Sequence, residues 1–499
     1  MISGNRFRIA GLAAGAASLL ASTACSAKSS NQNAPENENG SGDVFETEHP
    51  NVLLIMTDQQ SFNTIGALAG EYPGAVYSRT PNIDRLVREG ISFTRTYCAN
   101  PVSVPSRFTL FTGMYGGQFG VRKNADTPEE QPIRELQAEK AMGNVFKAAG
   151  YETFYAGKVH LPYSNKKAGA TTKFAAPDGY GFDTYLTDNE REGLAAEAAR
   201  FLNEKASGKD GKPFILVASF INPHDICVEY QTNTGTEIAD DPAKPEKSQT
   251  IRTIREKMNG YDRERFLSEI APALPENFEK PEGYPATKCS KKRFMDYPDD
   301  YWKQYRWVYR ELVSLVDSHI GIILDALDAN PELNRKTLVV FTSDHGDMQG
   351  AHRLGVKSMP FDECQRVPLI FSGCNVKTRG TDATPVCNGV DLLPTLCDLC
   401  NIEMPQNMDG VSLSSVIREG KATGALKSRK YIYSESETFV SIYDGKYKMS
   451  YFDLDGEYDF LIDMESDGGE MTNISSRMPE TINALKQAIT DKYYLHYEN

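Results

Sequence analysis

The residues best suited to chemistry lie in one short run of hydroxyl, proline and cationic side chains. Ser103-Val104-Pro105-Ser106-Arg107 precedes an apolar turn that ends in Thr112-Gly113. Proline has a fixed φ and no N–H, so Pro105 predicts the first position of a helix, with Ser103 just before it. The free N–H groups and the positive dipole at a helix start bind anions. Ser103 is therefore a candidate nucleophile or a plain helix N-cap, and Arg107 is a candidate anion partner.

Polar residues follow three apolar runs, at residues 52–56, 214–218 and 338–341. Such runs are typical of strands buried on both faces of an α/β sheet. Because ligands bind at the carboxyl ends of these strands, we expect the residues after the runs to share one site. These residues are Asp58 and Gln59 after the first run, His224 after the second, and Asp344 and His345 after the third.

The side chains of this group predict a metal site. Asp58, Gln59 and Asp344 offer hard oxygen ligands, which suit Ca²⁺ or Mg²⁺. A nitrogen ligand at His345 leaves room for Mn²⁺ or another softer metal. The alternative is that the carboxylates only accept hydrogen bonds from helix N-termini.

Other patterns predict the elements around this site. Apolar residues spaced by three and four from Tyr301 to Leu327 predict a helix that packs on the sheet. Residues 225–300 are rich in Pro, Lys and Glu with little periodicity, so we interpret them as an insertion at the mouth of the site. From about Lys430, short alternating segments and a last helix at 479–494 predict a small antiparallel sheet with one helix.

The N-terminal residues predict export. Arg6 and Arg8 precede a weakly apolar run that is typical of a secretory signal and too short for a membrane span. The residues before Cys25 are similar to a bacterial lipoprotein cleavage site, which predicts a lipid on Cys25; simple cleavage after Ala24 is the alternative. We predict a signal peptide at 1–24 and a polar, disordered tether at 25–48.

Composition narrows the range of partners. The 499 residues suffice for one large domain and a smaller one. A net charge of −14 argues against nucleic-acid binding, so an anionic substrate requires local basic residues. Cysteine spacing fixes no disulfide pairing. We interpret Cys397 and Cys400 as part of an apolar helix, because no second pair completes a zinc site.

Together, the motifs resemble those of the sulfatase family, the formylglycine-dependent type I enzymes of the alkaline phosphatase superfamily. The similarity extends from Pro50 to Ser476, and the motifs occur in the family's order. The most specific motif is the serine-type maturation signature at 103–107, whose first residue is oxidised to formylglycine. The other motifs lie at residues 51–59, 80–93, 157–160, 222–224, 343–347, 357–370 and 443–473.

The resemblance implies a fold and a metal site. The fold is α/β: a large central mixed sheet sandwiched by helices at 49–428, as in alkaline phosphatase, and a small C-terminal antiparallel sheet with one helix at 429–499. The implied cofactor is Ca²⁺, with Mg²⁺ or Mn²⁺ as alternatives. Its implied ligands are Asp58, Gln59, the modified Ser103, Asp344 and His345.

The resemblance also implies a mechanism. A hydrated aldehyde made from Ser103 attacks sulfur in line, and Arg107, Lys158 and Lys357 carry the charge of the sulfuryl oxygens. His224 protonates or orients the leaving oxygen, and His160 takes a proton so that sulfate is expelled. Serine precursors of formylglycine resemble those matured by oxygen-independent radical enzymes, so a radical maturase is an expected partner.

We therefore expect a sulfuric ester hydrolase that cleaves sulfate monoesters from a sulfated glycan. It is expected to be exported, as a periplasmic or cell-surface lipoprotein that contacts the membrane only through a lipid on Cys25. The nearest alternative is a phosphonate monoester or phosphodiester hydrolase of the same superfamily. An alternative of another class is a non-catalytic glycan-binding lipoprotein in which Ser103 stays unmodified.

Overall fold

A mixed sheet of eight strands lies at the centre of the computed structural model, which describes residues 45–72, 78–124, 126, 130–162, 176–208, 211–231, 245–284, 297–453 and 457–493. The described strands, numbered along the chain, are β1 Asn51–Asp58, β2 Ile91–Phe93, β3 Thr96–Tyr97, β4 Glu152–Gly157, β5 Thr184–Thr187, β6 Phe214–Pro223, β7 Thr337–Ser343, β8 Leu369–Gly373, β9 Gly380–Asp382, β10 Val386–Cys387, β11 Ile432–Glu435, β12 Val440–Tyr443, β13 Tyr447–Asp453 and β14 Glu457–Asp463. The order across the central sheet is β5-β4-β6-β1-β7-β8-β2-β9.

Strands β5, β4, β6, β1 and β7 run parallel to one another, whereas β8 runs antiparallel to both β7 and β2. The three predicted apolar runs are β1, β6 and β7, which lie side by side and are buried along their whole length. Each strand extends beyond its apolar run, to Asp58, Pro223 and Ser343. Because the carboxyl ends of adjacent parallel strands meet at one edge, the residues that follow them converge there.

Helices cover both faces of the sheet. The described α-helices are α1 Pro81–Glu89, α2 Ser103–Thr112, α3 Glu130–Lys140, α4 Met142–Ala148, α5 Glu192–Ser207, α6 Ile226–Gln231, α7 Pro245–Asn259, α8 Arg263–Arg265, α9 Asp299–Asp328, α10 Pro331–Arg335, α11 Asp362–Gln365, α12 Asn388–Leu399, α13 Ser414–Glu419, α14 Gly424–Ser428 and α15 Pro479–Tyr493. The helix predicted from Tyr301 to Leu327 is α9, which begins two residues earlier and ends one residue later than predicted.

Alternate residues of β1 pack against different helices. Leu54 belongs to a core cluster that includes α2 and α12 side chains, whereas Leu53 belongs to a cluster built with α1, α5 and α9. This alternation follows from the period of two in a strand, which sends successive side chains to opposite faces. The prediction of a mixed α/β sheet between helical layers is confirmed.

The segment interpreted as an insertion, residues 225–300, contains helices although its sequence shows little periodicity. Its described residues include α6, α7 and α8, and a π-helical turn at Phe266–Ile270 continues α8. Ile251 and Ile254 on α7 are buried against the aromatic residues of α9. A single apolar stripe on an otherwise polar helix is a weak signal in sequence, and tertiary packing stabilises the helix.

The C-terminal residues form the predicted antiparallel sheet with one helix. Strands β11 to β14 pair in sequence order, and α15 packs its apolar side chains on β12 and β13. The described residues from 45 onward belong to one compact unit. The boundary between a catalytic domain at 49–428 and a subdomain at 429–499 therefore stays a prediction.

A buried group of charges joins this small sheet to α11 and to the residues just before β8. Lys448 Nζ on β13 lies 2.6 Å from Asp362 Oδ1 and 2.5 Å from Glu470 Oε1. Arg366 Nη1 lies 3.0 Å from the other oxygen of Asp362. Burial alone would raise the pKa of Asp362. The positive charges of Lys448 and Arg366 outweigh this effect and lower its pKa.

Replacing Lys448 with methionine should lower the free energy of unfolding by about 3–5 kcal/mol, because two buried carboxylates lose their shared cation. Lys446→Met is the matched control. The Lys446 side chain is 43% exposed and lies 3.7 Å from Asp463 Oδ2, so its loss should cost about 1 kcal/mol or less. Urea unfolding measures both values. Equal losses for the two variants would show that the buried charges do not stabilise the junction.

Several sequence predictions lie outside the described residues, namely the signal peptide at 1–24, the lipid on Cys25 and the tether up to residue 44. Within the described residues, no helix is both long and apolar enough to span a membrane. The seven described cysteines form no disulfide with one another, and Cys397 and Cys400 are buried in and just after α12. That placement agrees with their interpretation as core residues.

Candidate active site

Ser103 is the first residue of α2 and is fully buried. The helix begins two residues earlier than predicted, so Pro105 occupies its third position rather than its first. The helix start still tolerates proline, because the first four N–H groups have no partner within a helix. The Val104 N–H instead donates to Asn124 Oδ1 at 3.0 Å. Ser103 Oγ lies 3.0 Å from His345 Nε2 and 3.2 Å from Lys357 Nζ.

Arg107 joins the two candidate metal-binding carboxylates from within α2. Its Nε donates to Asp344 Oδ2 at 2.8 Å and its Nη2 to Asp58 Oδ2 at 3.1 Å. Its Nη1 donates to the Lys158 carbonyl at 3.0 Å and to Ser219 Oγ at 2.8 Å. Four of the five N–H groups of the guanidinium therefore donate to protein acceptors, and its charge acts through the carboxylates that it holds.

Basic neighbours of Asp58 keep it ionised. Burial would raise the pKa of this carboxyl, but the charges of Lys158, His224, Lys357 and Arg107 lower it well below its usual value. Lys158 Nζ is in contact with Oδ2 at 2.5 Å. Lys357 Nζ, from a separate segment of the chain, lies 4.0 Å from the other oxygen, Asp58 Oδ1.

His345 presents a free electron pair to the site. Its Nδ1 lies 2.9 Å from the Gly346 carbonyl, which can only accept a hydrogen bond, so Nδ1 carries the proton. The pKa of His345 is well below its usual value, mainly because the ring is buried and also because Lys357 is nearby. The ring is therefore neutral. Its Nε2 is thus an acceptor or a metal ligand beside Ser103 Oγ.

Asp58, Asp344 and His345 fit a divalent cation. One ligand atom from each lies within 4.8 Å of the others, a spacing that one ion can bridge. Asp58 Oδ1 is buried and has no hydrogen-bond partner among the described residues. Asp344 sits so close to Asp58 that burial and this neighbour raise its pKa to about 7. A cation would satisfy the unpartnered oxygen and relieve the repulsion between the two carboxylates.

Gln59 follows β1 in a left-handed backbone conformation, with φ of 72°. The turn points its backbone N–H at Asp344 Oδ1, at 3.1 Å. Its side-chain Nε2 donates to Asp347 Oδ2 at 2.7 Å, and its Oε1 lies 3.5 Å from Cys227 Sγ. A non-glycine residue in this region is held there by its surroundings, which is frequent at functional sites.

Lys158 and His160 follow β4 in a turned segment rather than an extended one. His160 has a left-handed φ of 47°, so the chain turns after the strand ends at Gly157. Burial and the neighbouring Lys158 hold the pKa of His160 well below its usual value. His160 is therefore a neutral base in the free protein.

Sequence reasoning missed the residues behind Gln59. Asp347 is buried and accepts hydrogen bonds from the Tyr305 hydroxyl at 3.0 Å and from Gln59. The Tyr305 hydroxyl also accepts from the backbone N–H of Val356 at 3.2 Å. Tyr305 belongs to the periodic pattern that predicts α9, which gives no sign of a role in the site. Asp347 lies within the motif at residues 343–347, which does give a signal.

Comparison with known proteins identifies the family. The sulfatase family model matches residues 50–402, and the model described as N-sulphoglucosamine sulphohydrolase, C-terminal, matches residues 350–494. The chain belongs to the sulfatase family. It is an enzyme of that family, and a metal ion and formylglycine are general features of it, in agreement with the acidic cluster around Asp58 and Asp344.

Relatives of this sulfatase act on several substrates. A Delta 4,5-hexuronate-2-O-sulfatase of Bacteroides thetaiotaomicron is 29% identical over 472 residues, which is 89% of either chain. A solved structure of a 2-O GAG sulfatase has a TM-score of 0.68 and 26% identity, and the match covers 90% of this chain and 93% of that one. A phosphonate monoester hydrolase of Agrobacterium radiobacter has a TM-score of 0.63 with 19% identity, over 90% of this chain and 96% of that one, and shares the fold alone.

Proposed function

We propose that this sulfatase removes sulfate monoesters from a sulfated glycan, with residue 103 as the nucleophile. The observation that carries the proposal is the position of Ser103 Oγ, within 3.0 Å of His345 Nε2 and 3.2 Å of Lys357 Nζ at the edge of a buried carboxylate pair. The glycan is supported by relatives whose names include a hexuronate 2-O-sulfatase and a GAG sulfatase.

The proposed cofactor is Ca²⁺, bound by Asp58, Asp344 and His345 together with Gln59 and the modified residue 103. Carboxylate and amide oxygens favour this ion, and the neutral imidazole leaves Mn²⁺ as an alternative. When bound, a divalent cation lowers the pKa of coordinated hydroxyl groups and offsets negative charge on the sulfate. Formylglycine, when hydrated, supplies the attacking hydroxyl in place of the serine.

The side chains around the site have separate proposed roles. Lys158 and Lys357 are the proposed partners of the sulfate oxygens, because their ammonium groups border the site beside Asp58 and Ser103. Arg107 is proposed to act indirectly, by holding both carboxylates in their orientation. His224 donates a proton to the leaving oxygen, and the neutral His160 accepts one as sulfate is released.

Modification of Ser103 tests the proposed nucleophile. Enzyme isolated from its native host should yield a Ser103 peptide that is lighter by two hydrogens and reacts with hydrazides, as an aldehyde does. Mass spectrometry of the tryptic digest measures this change. A native, active enzyme whose Ser103 is wholly unmodified would exclude the proposed mechanism.

The proposals for the maturation partner and the cellular location are based on the sequence. A radical maturase is the proposed source of formylglycine, because the precursor residue is serine. The N-terminal signal and Cys25 support export and a lipid anchor, hence a periplasmic or cell-surface enzyme. Labelling the host with a clickable palmitate analogue should mark the wild type and not Cys25→Ser.

A further inference from the structure

The segment at residues 349–358, which we call the Lys357 loop, has an unusual backbone. Six of its ten residues have a positive φ in the left-handed region, namely Gln349, Gly350, His352, Arg353, Val356 and Ser358. Five of the six are not glycine. The φ of 57° at Val356 is the least favourable of them, because a side chain branched at Cβ crowds the backbone in this conformation. Such a conformation persists only where the surrounding structure holds it.

The Lys357 loop carries a cation into the active site. Lys357 Nζ lies 3.2 Å from Ser103 Oγ and 3.3 Å from His345 Nε2. Because a lysine side chain is long and flexible, its ammonium group stays at one place only if the backbone on both sides of the residue is fixed. The conformation of the neighbouring residues therefore decides whether this cation lies against residue 103.

Hydrogen bonds from outside the loop fix the backbone on both sides of Lys357. After it, the Ser358 N–H donates to the carbonyl of Pro101, two residues before the nucleophile, at 3.1 Å. Before it, the Val356 N–H donates to the hydroxyl of Tyr305 on α9 at 3.2 Å. The first contact is between backbone groups and tolerates most substitutions, whereas the second depends on one side-chain oxygen.

Tyr305 is well suited to hold the loop. Its side chain is fully buried, and its hydroxyl has a single proton, which it donates to Asp347 at 3.0 Å. The lone pairs are left to accept from Val356, so the hydroxyl is fixed on both sides. The next residue of α9, Arg306, holds the other end of the loop by donating to the Gln349 carbonyl at 2.8 Å. The loop is thus fastened to a helix of the protein core.

We infer that Tyr305 is a positioning residue for sulfate binding: its hydroxyl holds Val356 in the left-handed conformation that places the Lys357 ammonium group against residue 103. The inference rests on the proposed function, in which Lys357 contacts the sulfate oxygens. Without the hydroxyl, the Val356 N–H loses its acceptor and φ can relax to a more favourable value. This change redirects the next residue, so the ammonium group no longer meets the sulfate.

A double-mutant cycle tests the route by which Tyr305 acts. Tyr305→Phe, which removes only the hydroxyl, should lower kcat/KM on 4-nitrophenyl sulfate and weaken inhibition by inorganic sulfate, each about tenfold or more, as expected for one lost hydrogen bond to a charged group. Lys357→Met should lose at least as much, and adding Tyr305→Phe to it should cost nothing further, because the positioned group is gone. Losses that multiply would overturn the inference and show that the hydroxyl acts through Asp347 and Gln59.

Tyr301→Phe is the matched control. Tyr301 lies one turn earlier on α9, and its buried hydroxyl has no hydrogen-bond partner among the described residues. This variant should therefore match the wild type in kcat/KM and in inhibition by sulfate. An equal loss in Tyr301→Phe and Tyr305→Phe would overturn the inference, because the effect would then follow from any change in the aromatic core.

Hydrogen exchange of the Lys357 loop separates the inference from the proposed function, because it needs no substrate. The peptide that contains Val356 should exchange its amide hydrogens faster in Tyr305→Phe than in the wild type or in Tyr301→Phe, since this amide has lost its acceptor. Unchanged exchange in Tyr305→Phe would overturn the inference even if activity fell. Faster exchange in a protein whose wild type hydrolyses no sulfate ester would instead overturn the proposed function and leave Tyr305 as the residue that holds the loop.

Discussion

Replacing Asp344 with alanine should remove the bound metal and lower turnover by about 10³-fold or more. The carboxylate contributes a ligand oxygen beside Asp58 and His345. A metal ion in such a site stabilises the transition state by several kcal/mol, and each 1.36 kcal/mol changes the rate tenfold. Metal content by mass spectrometry and turnover of 4-nitrophenyl sulfate should fall together. Chelation of the wild type should give the same loss, and Ca²⁺ should reverse it.

The experiment needs controls, because Asp344 also accepts a hydrogen bond from buried Arg107 at 2.8 Å. Asp344→Asn keeps the volume and an acceptor oxygen but removes the charge, so it should fold and still lose metal. Asp317→Ala is the matched control. Asp317 is a buried carboxylate that accepts from the Ile83 N–H at 2.8 Å, and its loss should destabilise the fold without removing metal. Full activity in metal-free Asp344→Asn would exclude the site.

The central sheet was predictable because its signal is local. Three apolar runs contain no polar residue, which is typical of strands with both faces buried inside an α/β sheet. Each run forms a strand in the middle of the central sheet. Helix α7 was missed for the opposite reason. Its sequence is mostly polar, and its few buried residues, such as Ile251, stabilise it by packing against the aromatic residues of α9.

The members of the site were easier to predict than their geometry. The motifs named Asp58, Asp344 and His345, and the structure brings these three together. Spacing could not reveal that Arg107 holds the carboxylates, because that contact depends on how α2 packs over the sheet. The left-handed turn at His160 was equally hidden, since neither its residue type nor its neighbours require a positive φ.

His224→Ala should lower kcat about 10²–10⁴-fold on a sulfated sugar but far less on 4-nitrophenyl sulfate. A sugar alkoxide is a strong base and leaves only with a proton, whereas a nitrophenolate leaves without one. The expected loss on the sugar is the rate enhancement of about 10²–10⁴ that is typical of general acid catalysis. His319→Ala is the matched control. His319 is a half-buried histidine on α9 that stacks on Phe220, so its loss should affect both substrates little.

His160→Ala should behave differently from His224→Ala, because His160 is assigned to a step after the alcohol has departed. Its effect should be the same for both leaving groups, and the aryl sulfate should show a burst of about one nitrophenolate per enzyme before slow turnover. Stopped-flow absorbance measures the burst. The burst requires sulfate release to be slower than cleavage, which is what the loss of a neutral base beside Lys158 should cause. If His160→Ala shows no burst and His224→Ala loses equally on both substrates, the two roles are wrongly assigned.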